Sequence, residues 1–184
     1  MKTLKPLTIE EANENSQAIF TSIKSKIGIL PNLFATMGVS DKLLGGFLYF
    51  QETIKSGEFT AKEYEAIALA TSQANGCAYC LSAHTTIGKM NGFTEEETLE
   101  LRRNTIADTK LNALVTLASE FITLKGHPTE EAIQNFFNEG YNKAAFAELI
   151  AATALTTITN YVYHNGGFEI DFPKAKNIEQ LQEI

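Results

Sequence analysis

The chain has little of several features that define common protein classes. It carries 15 Lys and Arg residues against 22 Asp and Glu residues, a formal net charge of −7, and no cluster of basic residues. A nucleic-acid partner requires a basic surface to meet its phosphates, so this composition argues against nucleic-acid binding. The sequence also lacks any run of about 18 apolar residues, so we expect no membrane span.

Two further absences narrow the class of protein. No charged segment followed by an apolar stretch opens the sequence, so we expect no export signal and a cytoplasmic location. No strand-like alternation of useful length occurs, whereas helical patterns fill most of the chain. With 184 residues and 44% hydrophobic residues, the chain can bury a substantial core. The sequence therefore predicts a single all-α domain built as a bundle of helical hairpins.

Capping signals predict where the helices begin. Thr8 and Glu11 form a capping-box pattern that predicts a helix running to about Ile27. The Ala-rich stretches 66–74 and 144–154 have small side chains, so we expect these helices to pack closely in the interior. The other predicted starts are Pro31, Ser40, Thr60, Thr94, Asp108, Thr129 and about Asn142, the last helix running to Asn165.

The only two cysteines lie in one short segment, NGCAYCLSAH, residues 75–84. At about 100° per residue, Cys77, Cys80 and His84 lie within roughly 60° of one another on a helix. Two closely spaced thiols in a reducing compartment are typical of catalytic or redox-sensing sites rather than of a structural disulfide. The segment therefore predicts thiol redox chemistry.

Two features favour the reactive thiolate form, at different positions. The pair Asn75-Gly76 indicates a break, which puts Cys77 in the first turn of a new helix, where free N–H groups and the dipole stabilise an anion. His84 lies four residues after Cys80, the spacing at which an imidazole can take the proton of that thiol. The residues themselves leave both cysteines open as the nucleophile.

Two other interpretations remain open. Free cysteines are often small apolar residues of a helical core. Alternatively, Cys77, Cys80, His84 and Glu65 are all zinc-ligand types, although no second Cys-x-x-Cys or His-x-x-x-His pair is present. Glu65 lies in a charged stretch, and its residue type alone favours a solvent-exposed position.

The spacing of four residues resembles the active-site signature of the AhpD-like alkylhydroperoxidases, in the carboxymuconolactone decarboxylase superfamily. These residues are Glu65, Cys77, Cys80 and His84. The resemblance extends to segments similar to the peroxidase-related branch: GILPNLF at 28–34, NYVYH at 160–164 and DFP at 171–173. It implies one AhpD-like all-α domain over 1–184, with a helical N-terminal arm at 1–58 and a core at 59–167.

The resemblance also implies roles for the residues. Cys80 is expected to be the peroxidatic thiol, Cys77 to resolve its sulfenic acid, and His84 with Glu65 to relay protons. The implied substrate is an organic hydroperoxide, and the implied electron donor is a dithiol, either a dihydrolipoyl group or a thioredoxin-like protein. Homo-oligomers, as trimers or hexamers, are expected. No cofactor and no metal are implied.

The sequence departs from the family at Tyr79, where the best-known members carry a second histidine. Tyr79 can donate a hydrogen bond, but an ordinary tyrosine pKa of about 10 makes it a poor base at neutral pH. His164, in the similar downstream segment, is either a further residue of the site or a hydrogen-bonded residue at a helix end. Several phenylalanines either line an apolar channel or belong to the core: Phe20, Phe34, Phe47, Phe50, Phe136, Phe137 and Phe146.

Three other functions stay open. A lactone decarboxylase shares the superfamily, but those members lack the cysteine pair. A non-catalytic redox sensor would form the same disulfide without turnover. A zinc-binding helical module would hold metal on unreactive thiols.

Overall fold

The computed structural model describes residues 3–178, and within this range all regular structure is helical. The helices are α1 (Glu14–Ile27), α2 (Asn32–Met37), α3 (Asp41–Lys55), α4 (Ala61–Ala74), α5 (Ala78–Met90), α6 (Glu95–Arg103), α7 (Thr109–Thr123), α8 (Glu130–Asn138) and α9 (Lys143–Gly166). None of these helices is long and apolar enough to cross a membrane. The all-α prediction is confirmed. The predicted domain limits, residues 1 and 184, lie outside the described range.

Most of the predicted helix starts are confirmed, and at each of them except Pro31 a side chain accepts a hydrogen bond from a free N–H group of the first turn. Thr60 and Thr94 each form a complete capping box, with Glu63 and Glu97 respectively. The other confirmed starts are Pro31 before α2, Ser40 before α3, Asp108 before α7, Thr129 before α8 and Asn142 before α9.

The predicted start at Thr8 is wrong. The Thr8 backbone N–H donates to Glu11 Oε2 at 2.8 Å, and the Glu11 N–H donates to Thr8 Oγ1 at 3.3 Å. These two bonds close a turn, and α1 begins only after Asn13, whose side chain accepts from the Ser16 N–H at 3.0 Å. The pattern fails here because the same reciprocal hydrogen bonds can stabilise an isolated turn.

Helix α4 lies at the centre of the bundle, packed against α5, α6, α7 and α9. Ala66, Ala68 and Ala70 are buried along it, and Ala145 and Ala152 are buried on α9. The prediction that the Ala-rich stretches lie inside is therefore confirmed for 66–74, whereas 144–154 buries one face and exposes Ala144, Ala147 and Ala154 on the other. Glu65, which α4 carries, therefore lies inside the bundle.

The second of two apolar clusters contains both cysteines. It forms where α2 and α3 pack against α9. Residues 167–178, which follow α9, contain no helix. In this tail, Asp171 Oδ2 accepts from the Asn32 N–H at 2.6 Å, and Phe168 is buried. The N-terminal arm and the tail therefore contact each other, and both pack in the apolar cluster that contains the cysteines.

Candidate active site

The turn between α4 and α5 positions Cys77. Gly76 has a positive φ of 67°, a conformation that glycine adopts without steric cost. The Gly76 N–H donates to the Gln73 carbonyl at 3.1 Å, and the Cys77 N–H donates to the Ser72 carbonyl at 2.9 Å. This pair of bonds is the Schellman motif, which ends a helix and reverses the chain. Cys77 therefore follows directly from the way α4 ends.

The sequence predicted that Cys77 lies in the first turn of α5. In the structure Cys77 is instead the N-cap, the residue just before that turn. Its sulfur accepts from the Cys80 N–H at 3.3 Å, in the place of the oxygen that a Ser or Thr cap would supply. Both thiols are free and buried. The capping role fixes the Cys77 sulfur beside Cys80, one turn along.

Cys80 is 1% exposed and lines an apolar cavity of about 460 Å³. Its sulfur lies 3.7 Å from the Thr159 hydroxyl oxygen of α9. Cys77, although as deeply buried, is not among the residues that line this cavity. The cavity walls are mainly apolar, with Ile29, Leu33, Phe34, Phe47, Leu155 and Phe172 among them.

Glu65 and His84 form the polar pair of the site. Glu65 Oε2 lies 2.7 Å from His84 Nδ1, and the Glu65 side chain is 2% exposed despite its charged neighbours in the sequence. A carboxylate can only accept, so Nδ1 carries the hydrogen and Nε2 is left to exchange protons. His84 lines the same cavity as Cys80.

The two cysteines differ in acidity. The Cys77 thiol donates to the Cys80 sulfur, and this bond is the main cause that lowers the pKa of Cys80 to about 7. Burial opposes the shift, whereas the charge of His84 adds to it. The pKa of Cys77 is raised, because its proton is held in the bond to Cys80 and the group is buried. Cys80 is therefore the thiol that ionises near neutral pH.

The charge of Glu65 acts on His84. Burial alone would lower the pKa of His84, but the negative charge of Glu65 and its hydrogen bond raise the pKa by more. The Cys80 thiolate raises it further. The site thus favours an imidazolium beside a thiolate.

Asn160 on α9 belongs to the site and was not singled out from the sequence. It is fully buried, accepts from Asn75 Nδ2 at 2.8 Å and donates to Ser72 Oγ at 3.3 Å. Its side chain also hydrogen-bonds to Cys77 and Cys80 and lowers the pKa of both. The segment NYVYH held the only sequence signal for it, through its resemblance to the peroxidase-related branch.

Lys55 is a second residue that the sequence did not point to. It ends α3, and its Nζ lies 3.7 Å from Glu65 Oε1 and 4.6 Å from the centroid of the Tyr64 ring. Lys55 also lines the cavity. One carboxylate therefore faces a lysine on one oxygen and a histidine on the other.

Tyr79 lines the cavity, but its hydroxyl is engaged elsewhere. The hydroxyl accepts from the Leu33 N–H at 3.4 Å, and burial together with a hydrogen bond to Asp171 raises its pKa. Its ring packs against Tyr163, Phe168 and Phe172. These contacts make Tyr79 an anchor for the arm and the tail.

His164 lies away from the cavity. It is exposed near the end of α9, and its ring neighbours are Tyr161 and Tyr163. Among the seven phenylalanines considered, Phe34 and Phe47 line the cavity. Phe50 is exposed. The other four are core residues or pack against a core: Phe20, Phe136, Phe137 and Phe146.

The described part of the chain contains no preformed metal site. Within residues 3–178, no group of three or more His, Cys, Asp or Glu side chains is placed to hold a metal ion. The zinc interpretation, which needs Cys77, Cys80, His84 and Glu65 around one point, therefore has no preformed cluster to support it.

The helices that carry this site match a known family. Residues 43–120, which span α3 to most of α7, match the model of the carboxymuconolactone decarboxylase family. This segment belongs to the carboxymuconolactone decarboxylase superfamily. The chain as a whole has the AhpD-like fold, as solved structures with the same arrangement demonstrate.

Two peroxidase-related AhpD-like structures align over nearly the whole chain. One is the alkylhydroperoxidase AhpD core of a peroxidase-related protein from Ralstonia eutropha JMP134, with 18% identity, a TM-score of 0.80 and coverage of 93% of this chain and 94% of that one. The other, from Silicibacter sp. TM1040, has 19% identity, a TM-score of 0.79 and 96% coverage of both chains.

A debrominase has the same arrangement of helices. The debrominase Bmp8, solved as a variant with 2,3,4-tribromopyrrole, has 21% identity, a TM-score of 0.78 and coverage of 93% of this chain and 92% of that one. No curated protein sequence matches the chain. At these identities, the three structures establish the fold alone.

Proposed function

We propose that this chain is a thiol-dependent peroxidase that reduces organic hydroperoxides at Cys80. The observation that carries the proposal is a thiol with a pKa lowered to about 7 on the wall of an apolar cavity, beside an imidazole paired with a buried carboxylate. A peroxidatic thiol needs an ionised sulfur and a proton donor for its leaving group. The AhpD-like fold and its peroxidase-related relatives support the same conclusion.

The first half-reaction oxidises Cys80. Its thiolate attacks the terminal oxygen of the hydroperoxide, an S–O bond forms and the O–O bond breaks. The leaving alkoxide takes a proton from the His84 imidazolium, which gives an alcohol, and Cys80 becomes a sulfenic acid. Glu65 holds Nδ1 of His84, so Nε2 delivers the proton.

The second half-reaction makes the disulfide. The Cys77 sulfur attacks the Cys80 sulfur, the S–O bond breaks, and the hydroxyl of the sulfenic acid leaves as water after taking the Cys77 proton, which neutral His84 can relay. Cys77 does not line the cavity, which supports Cys80 rather than Cys77 as the thiol that meets the substrate. An external dithiol, of the dihydrolipoyl or thioredoxin-like class, then reduces the disulfide and is itself oxidised.

The proposal includes an oligomer in the cytoplasm. Ile150, Ile158 and Tyr161 are exposed apolar residues on α9, and large apolar surface groups of this kind support self-association. We extend the proposal to a homo-oligomer, a trimer or hexamer, with no metal or cofactor in the reaction.

Reductive debromination is a second candidate, favoured by the apolar cavity and by the likeness to the debrominase Bmp8. In such a reaction the Cys80 thiolate would take the bromine of a bromopyrrole, and the ring carbon would keep the electron pair and gain a proton. Cys77 would then displace bromide and form the same disulfide. Bromide release from 2,3,4-tribromopyrrole distinguishes this activity from peroxide reduction.

The test is a thiol count and intact mass of metal-stripped protein before and after one equivalent of cumene hydroperoxide. The parent should lose both thiols rapidly. The Cys77→Ser variant should gain one oxygen, trapped as sulfenic acid on Cys80, and the matched Cys80→Ser variant should not react. Turnover with dihydrolipoamide or dithiothreitol separates an enzyme from a redox sensor. Thiols that stay unreacted in the parent would reject the proposal.

A further inference from the structure

The cavity has an unusual charge for this acidic chain. Within residues 3–178, its titratable cationic lining groups are Lys55 and His84, and no carboxylate is among the lining residues. The sequence as a whole carries 22 acidic residues against 15 Lys and Arg residues. The charge of His84 is matched by the Cys80 thiolate, so Lys55 is the cation that a negative group of a ligand meets at this cavity, although the molecule as a whole repels anions.

Lys55 has hydrogen-bonding capacity left for a ligand. Its side chain is 41% exposed, and within the described range its partners are the Glu65 carboxylate at 3.7 Å and the Tyr64 ring. An ammonium has three donors, and 3.7 Å exceeds the roughly 2.7–3.2 Å of an N–H···O hydrogen bond. Lys55 can therefore turn toward an anion in the cavity without breaking a short bond.

The same cavity has an exposed apolar rim. Ile27, Ile29 and Met90 line it and are also largely exposed to solvent. Exposed apolar groups next to a pocket mark a surface that an apolar ligand covers. An apolar rim beside one ammonium is complementary to a molecule that has both an apolar body and an anionic group.

Resting on the proposed peroxidase function, we infer that the substrates are amphipathic carboxylates, of the fatty-acid hydroperoxide class. Lys55 binds the carboxylate, and the apolar cavity and its rim hold the chain. The cavity volume of about 460 Å³ lies in the range of roughly 300–1,000 Å³ typical of small-molecule sites. Lys55 and His84 share Glu65, so the carboxylate and the reacting peroxide are bound on the same side of the cavity.

The catalytic test compares an acid with its neutral ester. We expect the parent to use linoleic acid hydroperoxide with a kcat/KM about fivefold above that of its methyl ester, a preference that falls as salt is added. Lys55→Gln should remove the preference and Lys55→Arg should keep it. The matched control is Lys42→Gln, because Lys42 lies on the same helix, is 86% exposed and does not line the cavity.

The inference is decided by the ratio of kcat/KM for the acid to kcat/KM for the ester. Lys55 also acts on His84 through its charge, but that effect changes the rates with all hydroperoxides together, cumene hydroperoxide included. A parent without preference for the acid, or a Lys55→Gln variant that keeps it, would overturn the inference.

A binding test separates this inference from the proposed function. We expect decanoate, which has no peroxide group, to slow alkylation of Cys80 in the parent at concentrations about fivefold below those that decanol requires. Lys55→Gln should remove this difference. Protection that is equal for decanoate and decanol would reject the carboxylate site. Selective protection in a protein whose Cys80 resists hydroperoxides would instead reject the peroxidase function and keep the carboxylate site.

Discussion

At the scale of single residues, the acidity of Cys80 depends on one neighbouring sulfur. The Cys77 S–H bond to the Cys80 sulfur contributes more than the charge of His84 to the lowered pKa. This order is unexpected from the sequence, where the spacing of Cys80 and His84 suggested the histidine as the activating group. In the proposed cycle Cys77 therefore has two tasks, to stabilise the Cys80 thiolate and to resolve its oxidised form.

A matched pair of variants tests the first task. In the parent, the rate of Cys80 alkylation by iodoacetamide should rise with pH around a midpoint of about 7. Cys77→Ala removes the donor, so we expect the midpoint to rise by about one unit or more, whereas Cys77→Ser keeps an O–H donor and should shift it less. The rates are followed by mass spectrometry of the Cys80 peptide. An unchanged midpoint in Cys77→Ala would contradict the assignment.

Glu65 and His84 offer a second prediction at this scale. Glu65→Gln keeps a side chain of the same shape but removes the charge that raises the pKa of His84, so that pKa should fall. The raised pKa stabilises the folded state fully below the ordinary histidine value of about 6.5, and this stabilisation is lost as the pH rises through the folded value. The variant should therefore lose about 1–3 kcal/mol near pH 6 and less at alkaline pH.

The measurements are histidine NMR titration and urea unfolding at the two pH values. His127 lies in the loop between α7 and α8, and the signal of His84 is identified by its loss in His84→Asn. A pKa of His84 that does not fall in Glu65→Gln would show that the 2.7 Å contact is not charged.

At the scale of the elements, the site depends on how α4 ends and α5 begins. Cys77 belongs to both events, because its N–H completes the end of α4 and its sulfur caps α5. Gly76 makes this possible through its positive φ. Local backbone geometry, rather than side-chain packing, therefore sets the relative position of the two sulfurs.

Two glycine substitutions test this dependence. A Cβ at Gly76 would meet no atom within 4 Å, so Gly76→Ala should lose about 1–2 kcal/mol from its left-handed backbone alone. Gly46, inside α3, also has nothing within 4 Å, and Gly46→Ala should gain about 0.5–1 kcal/mol. Urea unfolding measures the stability of both variants. The rate of Cys80 alkylation should change only in Gly76→Ala. Equal stabilities for the two variants would contradict the role of Gly76.

The helices were predictable from the sequence where a cap signal has one interpretation. Thr60 and Thr94 begin helices with complete capping boxes, whereas the same pattern at Thr8 closes a turn before Asn13 caps α1. Capping is local chemistry, so it identifies a start only if the following residues can pack a helix. The failure at Thr8 was therefore not visible in the pattern itself.

The site was predictable only in its local part. Cys80 and His84 lie one turn apart on α5, so their proximity follows from helical spacing. Glu65, Lys55 and Asn160 come from three other helices, and their approach depends on how α3, α4 and α9 pack. Residue type even favoured an exposed position for Glu65, which is buried because His84 provides a partner.

At the scale of the whole molecule, three parts of the chain close over the cavity. The arm contributes Leu33 and Phe34, the core contributes Cys80, and the tail contributes Phe172. Tyr79 belongs to the core and contacts the other two parts, the arm through the Leu33 N–H and the tail through the rings of Phe168 and Phe172. Because the cavity has walls from distant segments, its shape depends on the contacts that hold the tail against the arm.

Asp171 links the tail to the arm and to α5. Its carboxylate accepts from the Asn32 N–H at 2.6 Å and from the Tyr79 hydroxyl, whose pKa it raises. Asp171→Ala leaves both donors without their acceptor, so we expect a loss of about 1–3 kcal/mol in stability and faster labelling of Cys80 by a bulky maleimide. Glu169→Ala is the matched control, because only the backbone carbonyl of Glu169 bonds to Asn32. If the two variants label and unfold alike, the tail does not depend on Asp171 to close the cavity.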